Sequence, residues 1–389
     1  MTRSAGTEPL YLDANATEIL RPAARAALIE AFDLVGNPAS VHAEGRAARR
    51  LLEASRETIA ARFGTRAQDV VFCSGATEAD AMAVHGLETG RPVLIGATEH
   101  DAIRASTPGA VVIPVDADGV ADLEALAGLL DEHKGALVCL MAANNETGVI
   151  HPIGEAASLC AAHGALLHVD AVQAAGRIDC DYLALGAASM AISAHKIGGP
   201  KGAGALLLAP EAADRFVPLI RGGGQELGRR GGTQNLPAIA GFTAAIGADR
   251  TGEVERLTAL CDAIENGARD AGAIVIAETA PRLPNTVCLA LPGLSAETQV
   301  ITLDLDGICV SAGSACSSGK VGRSHVLDAM GLGDLAGCAI RVSLSWSTPD
   351  DAPARFLAAY RRLAMRALRK RDGFSTPHAE QVRIEPAVS

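Results

Sequence analysis

Leu167-His168-Val169-Asp170-Ala171 and Ser193-Ala194-His195-Lys196-Ile197-Gly198-Gly199-Pro200-Lys201-Gly202 are the two most informative segments of this chain. In each segment an apolar run typical of a strand ends at a reactive polar group. The first run delivers the carboxylate of Asp170, and the second delivers the amine of Lys196. Glycines follow Lys196 directly, and glycine allows a backbone to approach a ligand closely. The two segments predict a site built where strands end.

A buried acid together with a buried lysine suggests pyridoxal phosphate. This cofactor needs a lysine for its Schiff base and a carboxylate that keeps its pyridine nitrogen protonated, so that the ring accepts electrons. Gln173, one helical turn beyond Asp170, is placed to reach the same ligand. Two plain alternatives stay open: Asp170 as a helix cap and Lys196 as a surface lysine in a loop.

Composition indicates a globular protein with a large core. The chain has 389 residues, of which 49% are hydrophobic and 20% are charged, so it is long enough for a large domain and a smaller one. A formal net charge of −11 argues against a general nucleic-acid surface, which needs clustered lysine and arginine. The one basic cluster, at 361–371, has helical spacing and is typical of a solvated helix face.

The sequence predicts a cytoplasmic protein. Its apolar runs are shorter than the roughly 20 residues that span a bilayer, and residues 1–9 do not resemble a secretion signal. Nine scattered cysteines do not form a disulfide framework, and the chain has no Cys-x-x-Cys motif of the kind that binds zinc or an iron–sulfur cluster. Most of the cysteines are expected to be reduced and buried, so no metal site is predicted.

Short β-rich segments alternate with helical ones between residue 70 and about 208, which predicts an α/β fold with a mostly parallel seven-stranded sheet. The predicted strands are 70–73, 93–96, 111–115, 137–141, 166–169, 188–193 and 204–208. The predicted helices between them are 77–87, 123–132 and 154–163, the last closed by Gly164. Such a sheet binds ligands at the carboxyl ends of its strands, where Asp170, His195 and Lys196 are found.

A different order of elements after Gly224 predicts a smaller α+β domain. A helical stretch over 236–271 leads to strands at 285–291, 308–312 and 340–345, with helices at 296–305, 324–330 and 351–371. We divide the chain into a segment 1–20 associated with the small domain, a large cofactor-binding domain 21–255, a small domain 256–375 and a flexible tail 376–389. Residues 21–63 contain two amphipathic helical patterns.

Several other segments supply candidate site residues. The turn before Ala76 and Thr77 exposes backbone N–H groups at a helix start, which is a good phosphate seat but also an ordinary cap. His100 follows the strand 93–96, where an imidazole stacks on an aromatic cofactor and moves protons, or is simply structural. Asn145 lies in an Asn-Asn-Glu-Thr-Gly turn at the same predicted edge, where an ordinary turn is the competing explanation.

Cys316 differs from the other cysteines because it lies in Ser311-Ala312-Gly313-Ser314-Ala315-Cys316-Ser317-Ser318-Gly319-Lys320. The surrounding residues are small, and a thiol in such a loop is accessible, unlike Cys139 or Cys288 inside apolar strands. Arg341 begins the last predicted strand and offers a fork of donors to a carboxylate. A salt-bridge partner is the alternative role of this arginine.

Together these segments resemble the cysteine desulfurases, pyridoxal-phosphate enzymes of the class V aminotransferase group with fold type I. The match runs from Tyr11-Leu12-Asp13 to about Trp346, with the motifs in the family's order. The loop from Ser311 to Cys316 is similar to that of the bacterial housekeeping and nitrogen-fixation branch. The Arg-x-Gly-His-x-Cys loop of the sulfur-mobilisation branch is absent.

The resemblance implies a role for each matching residue. Lys196 forms the Schiff base, Asp170 pairs with the pyridine nitrogen, and His100 stacks on the ring and shuttles protons. Gln173 or Asn145 contacts the ring hydroxyl, and Arg341 with Asn145 holds the substrate carboxylate. The implied phosphate ligands are the Ala76 backbone, Thr77, Ser193, His195 and, from a neighbouring subunit, Thr233. That last contact implies a homodimer.

The implied reaction converts L-cysteine to L-alanine. Cys316 takes the sulfur as a persulfide and passes it to an acceptor, such as an iron–sulfur scaffold protein, for cluster assembly or a related pathway. A selenocysteine lyase or another class V enzyme is the alternative, and a non-enzymatic sulfur carrier is a remote third. A nucleotide-binding dehydrogenase is disfavoured because no Gly-x-Gly-x-x-Gly follows an early strand.

The chain departs from the family's pattern in three places. Glu18 and Ile19 stand where Ala-Thr-Thr-Pro usually ends, Ala81 replaces a frequent asparagine, and Gly322-Arg323-Ser324 replaces the acidic Glu-Pro-Ser after Cys316. The tail also does not resemble the C-terminus with which housekeeping members bind their scaffold. We expect the first two departures to affect the chemistry little, whereas the tail leaves the identity of the acceptor open.

Overall fold

The computed structural model describes residues 8–313 and 323–373. The strands are β1 (Leu10–Tyr11), β2 (Val70–Cys73), β3 (Val93–Gly96), β4 (Val111–Ile113), β5 (Leu137–Met141), β6 (Leu166–Asp170), β7 (Ser189–Ser193), β8 (Gly204–Leu208), β9 (Ile274–Val275), β10 (Thr286–Ala290), β11 (Ile308–Cys309), β12 (Ser311–Ala312) and β13 (Ala339–Ser343). The helices are α1 (Pro22–Ala31), α2 (Ala43–Phe63), α3 (Ala76–Glu88), α4 (Asp101–Ser106), α5 (Leu123–Glu132), α6 (Ile153–Ala162), α7 (Tyr182–Leu185), α8 (Pro210–Ala213), α9 (Leu236–Ile246), α10 (Glu253–Asp270), α11 (Ala296–Leu305), α12 (His325–Ala329) and α13 (Ala352–Gly373).

The central sheet has seven strands in the order β2-β8-β7-β6-β5-β3-β4. Only β8 runs antiparallel to its neighbours, so the other six strands share one direction. Strands β5, β7 and β8 are buried along their whole length because helices cover both faces of the sheet. The predicted α/β fold with a mostly parallel seven-stranded sheet is confirmed.

A second, smaller layer is built around an antiparallel sheet with the order β12-β13-β10-β9. Its apolar core includes Val287, Ile340 and Phe356, and the N-terminal residues Leu10 and Leu12 belong to the same cluster. Strand β1 pairs in parallel with β11, which attaches the N-terminal segment to this layer. Helices α10 and α13 pack against each other beside it.

The first two helices belong to the core of the large sheet. Ala24 of α1 and Leu52 and Ile59 of α2 are buried in the cluster that also contains Val70 and Phe72 of β2. Both helices pack on α9. Helices α1 and α2 therefore support the sheet edge formed by β2.

Two details of the sequence prediction are wrong. The stretch 236–271 is two helices, because α9 ends at Ile246 and α10 begins at Glu253 with Gly252 in the left-handed region at φ +73°. The strand predicted over 308–312 is two strands that pair in different sheets, β11 with β1 and β12 with β13. The predicted flexible tail, 376–389, lies outside the described residues. Within the described ranges, the helices are each too short or too polar to cross a bilayer.

Strand β8 reaches the site through a close backbone contact at Gly204. A Cβ atom on this glycine would lie 2.7 Å from Gly75 Cα and 2.8 Å from the Ile192 carbonyl oxygen. Gly75 precedes α3, so Gly204 sets how closely the turn before α3 approaches β7 and β8.

We predict that Gly204→Ala destabilises the protein by about 1–3 kcal/mol, as overpacking does, and weakens its affinity for pyridoxal phosphate. Thermal unfolding and titration with the cofactor measure the two effects. Gly128→Ala is the matched control, because Gly128 lies within α5 with no atom near its Cβ position. That change gains up to about 1 kcal/mol of helix propensity. Equal behaviour of the two variants would contradict the prediction.

Candidate active site

One cavity of about 740 Å³ lies at the carboxyl edge of the large sheet. It opens where β2, β5, β6 and β7 end, because parallel strands bring their carboxyl ends to one edge. The predicted site residues that line it are Ala76, Thr77, His100, Asn145, Asp170, Gln173, Ser193, His195, Lys196 and Arg341. Thr233 is exposed and does not line this cavity. Cys316 lies outside the described residues.

Lys196 ends a short 3₁₀ turn that follows β7 directly. Its Nζ donates hydrogen bonds to the carbonyl oxygens of Asn15 at 2.5 Å and Ala16 at 3.1 Å. The N-terminal segment therefore crosses the cavity beside the lysine. Asn15 is itself fixed, since its amide donates to the Asn145 carbonyl at 3.2 Å and to Thr286 Oγ1 at 3.0 Å.

Asp170 is the last residue of β6 and is buried, with 7% of its surface exposed. Its Oδ1 accepts a hydrogen bond from the Val172 N–H at 2.9 Å. Burial, with a smaller contribution from the nearby carboxyl of Asp80, raises the pKa of Asp170 to about 7. The position suits a cationic partner in the cavity, which would return this carboxyl to its charged form.

Three more buried polar groups lie close to Asp170. His168 Nε2 is 3.1 Å from Asp80 Oδ1, and its Nδ1 is 2.8 Å from Ser189 Oγ. Burial raises the pKa of Asp80 to about 7 and lowers that of His168 to about 4. Glu99 accepts from the Met141 N–H at 2.6 Å, and burial, with a smaller contribution from Asp170, raises its pKa well above the ordinary value. This cluster surrounds Asp170 with groups that favour their neutral forms.

The start of α3 forms a cradle for an anion. No side chain of residues 8–313 or 323–373 caps this helix, and its first N–H groups lie at the cavity edge, where they attract negative charge. Ser193 Oγ is buried beside it with no hydrogen-bond partner in the described chain. The Gly204 contact leaves room for nothing larger than glycine under the turn. These features fit pyridoxal phosphate: the uncapped start of α3 and the Ser193 hydroxyl suit its phosphate, and Asp170 and Lys196 suit its ring.

Two histidines flank the cavity. His100 caps α4, and its Nδ1 accepts from the Ala102 N–H at 3.1 Å, so a neutral ring carries its proton on Nε2. His195 Nδ1 is 3.3 Å from Thr17 Oγ1. Burial and then the charge of Lys196 lower the pKa of His195 to about 4. His195 is therefore a neutral hydrogen-bonding group at neutral pH.

Arg341 brings a positive charge to the side of the cavity formed by β13. One Nη donates to the Asn145 carbonyl at 3.0 Å and the other to Asp13 Oδ1 at 2.7 Å. Its Nε is buried and has no partner among the described residues. A guanidinium held at two corners keeps a fixed direction, which suits it to bind a substrate carboxylate.

Glu146 links the cavity to the segment that contains Cys316. Ser324 Oγ donates to Glu146 Oε2 at 2.6 Å. A Cβ atom on Gly313 would lie 2.1 Å from the same oxygen. Gly313 is the last residue before the undescribed segment 314–322, and Ser324 lies just after it. Both residues therefore lie against Glu146, which directly follows Asn145.

Sequence reasoning missed several residues that build this site. Asp13 orients Arg341, and the carbonyls of Asn15 and Ala16 receive Lys196, although only Tyr11-Leu12-Asp13 carried a signal through the family resemblance. Asp80, Glu99 and His168 were missed because each looks ordinary in its own element. Their burial in one cluster depends on how α3, β3 and β6 pack.

A lysine and a buried acid at the carboxyl edge of such a sheet, with an anion-binding helix start between them, define a pyridoxal-phosphate enzyme of the aminotransferase type. The aminotransferase class-V family model matches residues 10–351. A cysteine desulfurase of Cereibacter sphaeroides is 41% identical over 88% of this chain and 92% of its own length. An IscS-like cysteine desulfurase of Mycobacterium tuberculosis is 37% identical over 83% of this chain and 87% of its own length.

A solved structure of a NifS-like protein from Rickettsia africae has a TM-score of 0.85 and 34% identity, with 92% of this chain and 99% of that chain covered. The chain belongs to the aminotransferase class-V family, as a cysteine desulfurase of the NifS/IscS-like group. This family uses pyridoxal phosphate, so the predicted cofactor and enzyme class are confirmed.

We predict that Asp170 makes the cofactor-free protein less stable as pH rises. Its pKa is about 7 in the folded protein and 3.8 in the reference state, so the folded form binds more protons between these values. The stability of wild type relative to Asp170→Asn should fall from about pH 4 to about pH 7 by up to about 1.4 kcal/mol per pH unit, then level off. Thermal unfolding of both proteins across this range measures the difference.

The cofactor provides the control for this prediction. Pyridoxal phosphate added at pH 8 should raise the melting temperature of wild type more than that of Asp170→Asn, because only the carboxylate gains a charged partner. A stability difference that stays constant from pH 4 to 8 would show that Asp170 does not keep its proton in the folded protein.

Proposed function

We propose that this cysteine desulfurase transfers the sulfur of L-cysteine to Cys316 as a persulfide. The observation that carries the proposal is the position of Gly313 and Ser324, which flank the segment with Cys316 and lie against Glu146 beside Asn145 and Arg341. None of the eight cysteines that the structure describes lines the cavity. Burial raises the pKa of Cys73 to about 12 and that of Cys288 to about 12, which keeps these thiols unreactive.

Different residues around the cavity bind different parts of the cofactor. Lys196 is its covalent partner, Asp170 pairs with its ring nitrogen, and Gln173 donates to its ring hydroxyl. The N-terminal N–H groups of α3, with Thr77, Ser193 and His195, hold its phosphate. When bound, the cofactor supplies an electron sink that stabilises negative charge at the substrate α-carbon.

Arg341 and Asn145 orient the substrate. The guanidinium binds the carboxylate of L-cysteine, and its fixed contacts with Asp13 and Asn145 keep it pointed into the cavity. Lys196 removes the α-proton from this oriented substrate as a general base. His100 exchanges protons through Nε2, because its Nδ1 is occupied by the Ala102 N–H.

Sulfur transfer follows from a thiolate at Cys316. The thiolate attacks the substrate sulfur, so a sulfur–sulfur bond forms while the carbon–sulfur bond breaks. The electron pair of the broken bond stays with the carbon fragment, which takes up one proton at its β-carbon, regains the α-proton held by Lys196 and leaves as L-alanine. The persulfide on Cys316 then passes its outer sulfur to an acceptor protein for iron–sulfur cluster assembly or a related pathway.

The functional unit proposed is a homodimer in which Thr233 reaches the phosphate site of the partner. Exposed apolar side chains follow α1 and recur in the segment 219–227, namely Ile29, Phe32, Val35, Val41, Leu219, Ile220 and Leu227. A groove of about 520 Å³ lined by Pro38, Ala39, Gly223 and Leu227 joins the two regions. Large apolar side chains left exposed in two regions of the chain support an interaction surface there.

Glu226 supports this proposal because it fixes the segment that precedes Thr233. Its backbone is in the left-handed region at φ +49°, which is uncommon for a residue other than glycine. Its carboxylate compensates by accepting hydrogen bonds from Arg56 at 2.8 Å, Gln234 at 2.8 Å and the Phe72 N–H at 2.9 Å. The segment is thereby presented in one conformation.

We also propose the division of the chain into domains at about residue 255 and a cytoplasmic location. The separate apolar clusters around the large and small sheets support the division. Among the described residues, seven cysteines are free thiols, namely Cys73, Cys139, Cys160, Cys180, Cys261, Cys288 and Cys338, which supports a reducing compartment.

We predict that Cys316→Ala lowers the rate of alanine formation from L-cysteine at least about 100-fold, as loss of a nucleophile does, while the visible absorbance of the bound cofactor is unchanged. Cys338→Ala is the matched control, because Cys338 is free and does not line the cavity. A Cys316→Ala protein that produces alanine at the wild-type rate would exclude Cys316 as the sulfur acceptor.

For the dimer, we predict that Phe32→Asp gives a monomer by sedimentation at concentrations where wild type is dimeric, because a charge replaces a ring that is 69% exposed in the isolated chain. Ile301→Asp is the control, since Ile301 is 53% exposed on α11 of the other layer. A dimer that survives Phe32→Asp, or one that Ile301→Asp dissociates equally, would place the interface elsewhere.

A further inference from the structure

Arg177 is a partly buried guanidinium close to the cofactor lysine that does not itself line the active-site cavity. One Nη donates to the Gln173 side-chain oxygen and, at 3.2 Å, to the Gln173 carbonyl. The other Nη is 3.4 Å from the carbonyl oxygens of Ala14 and of Lys196. One side chain thus connects the N-terminal segment, the lysine backbone and Gln173.

The chemistry of these groups fixes the orientation of the Gln173 amide. Arginine carries only donors, so the atom of Gln173 that faces it must be the oxygen Oε1. The amide nitrogen then points the other way, and it donates to the Asn15 carbonyl at 3.1 Å. An amide rotated by a half turn would put its NH₂ group against the guanidinium and lose both interactions.

We infer that Arg177 is a positioning residue that keeps the NH₂ group of Gln173 available to the ring hydroxyl of pyridoxal phosphate. This inference rests on the proposed role of Gln173. A hydrogen-bond donor to the ring hydroxyl oxygen stabilises the ionised form of that oxygen. The ionised oxygen then interacts less strongly with the proton on the adjacent Schiff-base nitrogen, so the pKa of that nitrogen falls. Arg177 therefore lowers the pH at which the cofactor bound to Lys196 loses that proton.

Several charged groups surround this position and must stay in place for the test. Burial lowers the pKa of Arg177 to about 10, the charge of Glu18 opposes this shift, and the charge of Arg341 adds to it. Asp170, His100 and His195 line the same cavity as Gln173. All of these groups are unchanged in variants of Arg177.

The experiment is a pH titration of the visible absorption band of the cofactor-loaded protein. Arg177→Met should raise the midpoint by about one pH unit, because the amide loses its orientation. Arg177→Lys should give a smaller shift of the same sign, since one ammonium group cannot donate to Gln173 and to both carbonyls. This variant also tests the inference if Arg177→Met does not fold. Unchanged midpoints in both variants would overturn the inference.

Arg250→Met is the matched control for losing a guanidinium charge near Lys196. Arg250 is also partly buried and donates to the carbonyls of Ala245 at 2.8 Å and of Ile197, next to Lys196, at 3.3 Å, but it does not contact Gln173. Its loss should leave the midpoint within about 0.3 pH unit of wild type. If Arg250→Met shifts the midpoint as much as Arg177→Met does, the effect of Arg177 comes from its charge and not from its contact with Gln173, which would contradict the inference.

A Gln173→Leu background distinguishes an effect of Arg177 that passes through the Gln173 amide from a direct effect of its charge on the cofactor. If Arg177 acts through the amide, adding Arg177→Met to Gln173→Leu shifts the midpoint little further. A full additional shift would contradict the inference. A normal midpoint in Gln173→Leu alone would instead show that Gln173 does not contact the cofactor. The titrations are repeated with Cys316→Ala, so a failure of the sulfur-transfer proposal leaves this test intact.

Discussion

The buried carboxyl of Asp170 is the constraint on which this active site depends. A charged carboxylate away from water is costly unless a cation or hydrogen bonds compensate it, and Asp170 receives a single N–H bond from the backbone. Asp80 lies close enough to raise its pKa further, and His168 provides no full charge because burial lowers its own pKa to about 4. The fold therefore holds a position that a protonated pyridine ring satisfies and water does not.

The sheet topology supplies everything else that this position needs. Because six of the seven strands share a direction, Lys196, Asn145 and the start of α3 reach the same edge as Asp170. The small layer adds Arg341 from β13, and the N-terminal segment crosses between them with the carbonyls that bind Lys196. Isolation of either layer would separate Arg341 from Lys196.

How much of this was predictable depends on whether a signal is local. Strands β2, β3, β5 and β8 were predicted with their observed ends because each is a short apolar run between turn residues. The division of 308–312 into two strands was not, since both halves are β-type and only their partners differ. Asp170 and Lys196 were found because polar groups interrupt apolar runs. Asp80, Glu99 and Arg177 had no such signal, as their roles come from contacts with residues distant in sequence.

Glu146 lies where the contacts of Arg341 and of the residues flanking the segment 314–322 come together. Its neighbour Asn145 offers its carbonyl to Arg341, while the Glu146 carboxyl meets Gly313 and the Ser324 hydroxyl. Burial raises the pKa of Glu146, and the Ser324 bond opposes that shift, so the carboxyl and the hydroxyl depend on each other. A single turn thus contacts Arg341, to which we assign the substrate carboxylate, and the described residues on either side of the segment 314–322. Because Asn145 and Glu146 are consecutive residues of one turn, the contact with Arg341 and the contacts with Gly313 and Ser324 are fixed relative to each other.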